Sequence, residues 1–180
     1  MIASRLPHWL NSTPQILNSI GTHTDIRTFN YFDASTSPTA SDGNSSSFES
    51  KLNILLTWSV SSTQFGDHRP FAVACILRIW RDDAKLRAIR RRTTRPEAGL
   101  QEQLFHWLDT SDAASHPSNL DNISLLFGEL CRKGLFSYGW FIQRLVARGE
   151  AGLGSEDLVS ASRSEYAMIN RFFWIFSRPI

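Results

Sequence analysis

Residues able to do chemistry are sparse in this chain and poorly spaced for joint work. Its two cysteines, Cys75 and Cys131, each fall on an apolar stretch of helical spacing. A reactive or metal-bound thiol needs polar or electropositive surroundings, so both are expected to be packed in the core. The histidines His8, His23, His68, His106 and His116 show no metal-ligand spacing. Carboxylates adjoin as Asp82-Asp83 and Glu156-Asp157. Adjacent helical positions point about 100° apart, so neither pair forms an acid–base dyad. The Gly152, Gly154 and Ser155 cluster lacks the flanks of a nucleophile elbow and a following lysine, and reads as a capping loop. No phosphate-binding loop, zinc-protease or C-x-x-C motif occurs. The expectation is a chain without catalytic residues, cofactor, metal or small-molecule substrate.

One charge feature is not random. Arg69 to Arg95 holds nine basic and two acidic residues, although the whole chain carries only 19 Lys plus Arg against 17 Asp plus Glu. Lys85, Arg87, Arg90, Arg91, Arg92 and Arg95 gather around a helix end. Cations complement the negative end of the helix dipole there, and the same cluster is a candidate docking patch for an acidic protein surface. The alternative is a free-standing helical module that binds nucleic acid through residues 85–95.

Of the 180 residues, 42% are apolar, enough for one buried core. Two cysteines make no disulfide framework and fit a reducing compartment. The longest apolar run, Phe71 to Leu77, is seven residues, far short of a bilayer span, and no membrane partner is expected. The first residues lack the layout of a secretory signal.

Residues 33–50 hold seven serines and two threonines in eighteen positions and read as a mobile linker. The expected organisation is therefore a poorly ordered segment and Ser-rich linker over 1–50, then a helical scaffold domain over 51–180. Leu52, Leu55, Leu56 and Ser59 or Val60 predict a helix over 50–62. Asp67 is placed to cap a second helix with Pro70 in its first turn and Val73, Ile76, Leu77, Trp80 and Ala84 on one face. Leu100, Leu104, Trp107 and Leu108 predict a third helix over 100–109. Leu120, Ile123, Phe127, Leu130 and Cys131 predict another over 120–132, stopped by Gly134. Ser137 caps the next, with Tyr138, Phe141, Ile142 and Leu145 inward and Gly149 at its end. A final aromatic helix is expected over 163–176. Strand-like alternation is absent, so the predicted class is all-α, with stacked helix-turn-helix units in a solenoid-like domain.

Two strings are more specific than this periodicity. The first carries Lys51, Leu52, Leu55, Leu56, Trp58 and Ser59, then Gly66-Asp67-His68-Arg69 and Trp80. The second carries Glu129-Leu130-Cys131-Arg132, Phe136-Ser137, and Leu145, Ala147, Arg148 and Gly149. In this order they resemble subunit 12 of the Mediator complex, particularly its fungal form. The resemblance covers about 60 residues closely and about 130 loosely. It implies a nuclear scaffold of the Mediator kinase module, which activates or represses transcription by RNA polymerase II. It further implies cyclin-dependent kinase 8, cyclin C, Mediator subunit 13 and core Mediator as partners. The family's subunit is much larger and bears a kinase-activating segment near its own start that has no visible counterpart here, so the chain is expected to be one helical portion of it.

The motif residues themselves are turn and packing types. Trp58 and Trp80 flank one turn, and both are expected in a single cluster beneath Gly66-Asp67-His68-Arg69.

Overall fold

An apolar stripe that continues back into the serine-rich stretch sets the first long helix. Phe48 precedes Leu52 by four residues, and Leu55, Leu56 and Ser59 extend the same face. The structure, a computed structural model, describes residues 16–21, 24–28, 31–32, 44–63, 66–91 and 97–147. The α-helices within these residues are α1 (Asn44–Val60), α2 (Arg69–Arg91), α3 (Glu97–Thr110), the single turn α4 (Asp112–Ser115), α5 (Leu120–Arg132) and α6 (Tyr138–Ala147). Short 3-10 turns occur at Ile26–Thr28 and Pro117–Asn119. No strand occurs among the described residues, and the fold is all-α as expected.

The expected linker over 33–50 is corrected at its end. Residues 44–50 are the first turns of α1, and the Phe48 ring is fully buried. A single large apolar side chain in register with a downstream stripe gains more by burial than the surrounding serines cost in helix propensity. The boundary at residue 51 moves for the same reason. Leu17, Ile20 and Phe32 belong to the shared core, although they lie in the segment expected to be poorly ordered. Residues 33–43, and the helix expected over 163–176, lie outside the described residues.

α1 and α2 pair antiparallel: the Phe48 ring near the start of α1 lies tilted against Trp80 with centroids 4.8 Å apart, while Trp58 near its end meets Arg69 at the start of α2. α5 lies against both arms, and α3 adds Leu100, Leu104, Phe105 and Trp107 to the same core. Its buried residues Leu120, Ile123, Phe127 and Leu130 are those the periodicity singled out, joined by Leu126. On α2, Val73, Ile76, Leu77 and Trp80 are buried and Ala84 is packed against the core, as its spacing requires. α2 starts at Arg69, so the position just before the helix is His68 rather than Asp67. α3 and α6 are joined by the stacked rings of Phe105 and Phe141 and by the Arg144–Asp109 ion pair at 2.9 Å.

The expected tryptophan cluster does not form. Trp80 packs on Phe48 and Phe32, at the opposite end of the α1–α2 pair from Trp58. Eleven residues separate Arg69 from Trp80, about 16 Å along a helix, too far for one turn to cover both. Flanking a turn in sequence is not adjacency once one partner lies three turns inside its helix.

Candidate functional site

The end of α1 poses an accounting problem that the Gly66-Asp67-His68-Arg69 turn solves. The last carbonyls of a helix have no partner within it. Arg69, only 4% exposed, reaches back from α2 and donates to the Trp58 carbonyl at 2.5 Å, to Ser61 O at 3.0 Å and, through Nε, to Gly66 O at 3.0 Å. Its guanidinium also lies 5.8 Å from the Trp58 ring centroid. Burial draws the Arg69 guanidinium below its ordinary pKa, with the neighbouring Asp67 charge opposing that shift. Asn122 of α5 takes the next carbonyl, Val60 O, at 3.1 Å.

Gly66 has φ +112°, a backbone conformation that side chains other than glycine's rarely adopt. A Cβ there would stand 2.5 Å from the His68 ring. That ring is held: Nε2 lies 2.8 Å from the Ile20 carbonyl, which can only accept, so Nε2 carries the proton. Trp58 Nε1 donates to Asn18 Oδ1 at 2.8 Å. The turn therefore ties together the end of α1, the start of α2 and the segment at 16–21.

The second motif closes the other end of the core. Gly134, with φ +65°, follows α5, and the Gly134 and Leu135 amides donate to Cys131 O and Leu130 O at 2.9 and 2.8 Å. This double bond pattern is a left-handed helix cap. Arg81 of α2 adds side-chain bonds to Lys133 O at 3.1 Å and Gly134 O at 2.9 Å, and pairs with Asp82. Glu129 is buried and pairs with exposed Arg132. Phe136 fits between Phe105 and Phe127, and Ser137 Oγ caps α6 by accepting from the Trp140 amide at 3.4 Å.

The charge-rich window from Arg69 to Arg95 is thus not one surface. Arg69 is buried, and Arg81 is committed to the end of α5. Lys85 and Arg87 are half-buried on α2, and Arg90 is exposed. The side chains of Arg91, Arg92 and Arg95 lie outside the description, as do Arg148 and Gly149. The sequence singles out Lys85, Arg87, Arg90, Arg91, Arg92 and Arg95 as the patch but does not reveal the inward turn of Arg69 and Arg81, because a linear window carries no information on which side chain turns inward. It also missed Asn18, Asn119 and Asn122. Asn119 accepts from the Ser62 amide at 2.9 Å and donates to Ala113 O at 3.0 Å, bridging the α1–α2 link to α4.

The thiols are corrected as well: Cys75 and Cys131 are half-buried rather than fully enclosed. Burial pushes the Cys131 thiol up to about 12, which leaves it protonated and unreactive at neutral pH. Among the described residues no group of three or more His, Cys, Asp or Glu could hold a metal. A cavity of about 510 Å³ between α1, α3 and α4 contains the Glu49–His106 pair at 3.6 Å, with Asn53, Gln103 and Thr110 around it. Both side chains are exposed, and no thiol lines the cavity.

What these residues build is an all-α packing module whose motif side chains are occupied in joining helix ends. Residues 18–170 match Med12-LCEWAV, the eukaryotic Mediator 12 subunit domain. The chain belongs to this family, and with it to the Mediator machinery that regulates transcription. No curated protein and no solved structure matches it. No helix of the described residues is long and apolar enough to cross a membrane.

Proposed function

We propose that the chain is a non-enzymatic scaffold portion of the Mediator kinase module, acting in the nucleus with cyclin C, cyclin-dependent kinase 8 and Mediator subunit 13. The family match over residues 18–170 carries this reading. The geometry supports it, because the motif residues from Trp58 to Arg69 and from Glu129 to Ser137 maintain a fixed helical shape. A rigid surface of this kind positions partners at low ordering cost. On this reading Lys85, Arg87 and Arg90, with Arg91, Arg92 and Arg95 beyond them, steer an acidic protein partner, an effect on association rate that weakens with salt. The alternative, nucleic-acid binding through residues 85–95, would show itself as duplex binding with a steep salt dependence.

The test is affinity purification of the tagged chain from its own cells, with quantification of each Mediator polypeptide. Recovery of cyclin C and the kinase in proportion to the bait is expected. Recovery of core Mediator without them would overturn the kinase-module assignment and leave the family membership standing.

A further inference from the structure

The two halves of α2 stand in different surroundings. The first half is core, with Ala72, Val73, Ala74, Ile76, Leu77 and Trp80 buried. From Arg81 to Arg90 no side chain is buried, yet the helix continues to Arg91. Residues 81–90 span about 15 Å of helix, and a helix in a protein holds its shape mainly by packing an apolar face. This stretch has apolar side chains to offer: Leu86 and Ile89, three positions apart, are 55% and 73% exposed. Lys85, one turn before Ile89, lines a cavity of about 410 Å³ together with Trp140 of α6, which is 59% exposed above the buried Leu100 and Leu135. Trp140 and Ile89 thus both stand beside Lys85, and Leu86 extends the apolar surface around α2. Large apolar groups gathered in this way mark a surface that another segment covers.

The chain carries a segment of matching chemistry. Residues 163–176 read RSEYAMINRFFWIF, with Tyr166, Ile169, Phe173 and Phe176 at helical spacing and an unbroken apolar run from Phe172 to Phe176. A run of this kind is not left in water. The family match continues past the end of α6 at Ala147 to residue 170, so the same domain includes the start of this segment. The connection over 148–162 can span up to about 50 Å, more than the ~34 Å length of α2, and reach does not limit where the segment lies. A tethered segment also meets the face at an effective concentration on the order of millimolar, which favours it over a separate partner.

We propose that residues 163–176 dock on the face formed by Leu86, Ile89 and Trp140, with the Phe172–Phe176 run supplying the apolar contact. The docked segment covers the second half of α2 and joins it to α6. A partner polypeptide then meets the outer side of residues 163–176 rather than Leu86 and Ile89. The contact is internal to the family domain and does not depend on the kinase-module reading.

The test uses the full chain with the photocrosslinker p-benzoylphenylalanine in place of Ile89, as a mixture of isotopically light and heavy protein. Irradiation is expected to join position 89 to a residue within 163–176 of the same chain, with a yield that dilution leaves unchanged. Phe173→Glu should remove most of this product, and Phe173→Leu should keep most of it. Unchanged helical circular dichroism verifies the fold of each variant. The same crosslinker in place of Asp112, exposed on α4, should give no product with 163–176. Crosslinks only to other parts of the chain, light–heavy products joining two copies, equal products from positions 89 and 112, an undiminished yield in Phe173→Glu, or no crosslink would each overturn the proposal. So would a crosslink from position 89 to another polypeptide, in place of 163–176, when the experiment is repeated in purified Mediator.

Discussion

Arg69 donates to the main-chain carbonyl of Trp58 at 2.5 Å while its guanidinium lies 5.8 Å from the centroid of that residue's own ring. One side chain therefore fixes both the end of α1 and the indole next to it. Arg69→Ala would leave the carbonyls of Trp58, Ser61 and Gly66 without this donor. We expect a loss of about 3–5 kcal/mol in urea denaturation, the scale for breaking a buried charged network. Arg69→Lys should recover less than half, because an ammonium lacks the fork that spans three carbonyls. A loss below 1 kcal/mol for the alanine variant would show that water replaces the guanidinium freely.

Gly66 offers a sharper test of the same turn. Its φ of +112° and the His68 ring 2.5 Å from a would-be Cβ make Gly66→Ala costly twice over. The ring cannot swing aside without giving up its bond to Ile20 O. A destabilisation of about 2–4 kcal/mol is expected. Gly21→Ala is the control, since nothing lies within 4 Å of a Cβ there, and it should change stability by less than about 0.5 kcal/mol. Equal effects at the two glycines would contradict the turn geometry.

Much of this was legible in the sequence where the cause is local. The stripes from Leu52 to Ser59, from Val73 to Ala84 and from Leu120 to Leu130 are periodic, and each lies in a helix, although the first begins at Asn44, ahead of its expected start at residue 50. The stop at Gly134 and the cap at Ser137 were legible as well, because cap chemistry depends on a few adjacent residues. Tertiary register was not. Phe48 was averaged into its serine neighbours, and its partners Phe32 and Trp80 lie 16 and 32 residues away. The inward turn of Arg69 and Arg81 was hidden for a related reason: it depends on helix ends brought in by other parts of the chain. The buried Gln101 amide had no sequence signature at all.

The placement of Trp80 can be settled by coupling. Trp80→Ala should cost about 3–5 kcal/mol through the cavity it leaves. In double-mutant cycles Trp80 should couple to Phe48 by about 0.5–1.5 kcal/mol, as aromatic neighbours in ring contact do. Trp58 and Trp80 should be additive within about 0.5 kcal/mol, because they sit at opposite ends of the α1–α2 pair. Coupling between the two tryptophans, with none to Phe48, would restore the single cluster that the turn-flanking spacing implied.

Cys131 makes stability depend on alkaline pH. Burial raises its thiol from the ordinary 9.0 to about 12, so above pH 9 the unfolded chain releases this proton while the folded chain keeps it. The folded state then binds more protons than the unfolded one, and stability must fall as pH rises. The contribution is fully present below pH 9 and declines toward pH 12, with a slope of at most about 1.4 kcal/mol per pH unit. Tyr31, whose hydroxyl donates to Lys51 O and whose pKa is also raised by burial, adds to the decline above pH 10. Comparison of the chain with its Cys131→Ala variant between pH 8 and 10 isolates the thiol: the native curve should drop more steeply above pH 9, and the two should run parallel below it. The same burial should make Cys131 alkylate far more slowly with iodoacetamide at pH 8 in the folded protein than in urea. Equal alkylation rates, with parallel pH curves throughout, would mean that the end of α5 opens to solvent on the timescale of the reaction and that the cap formed by Gly134 and Arg81 does not hold it closed.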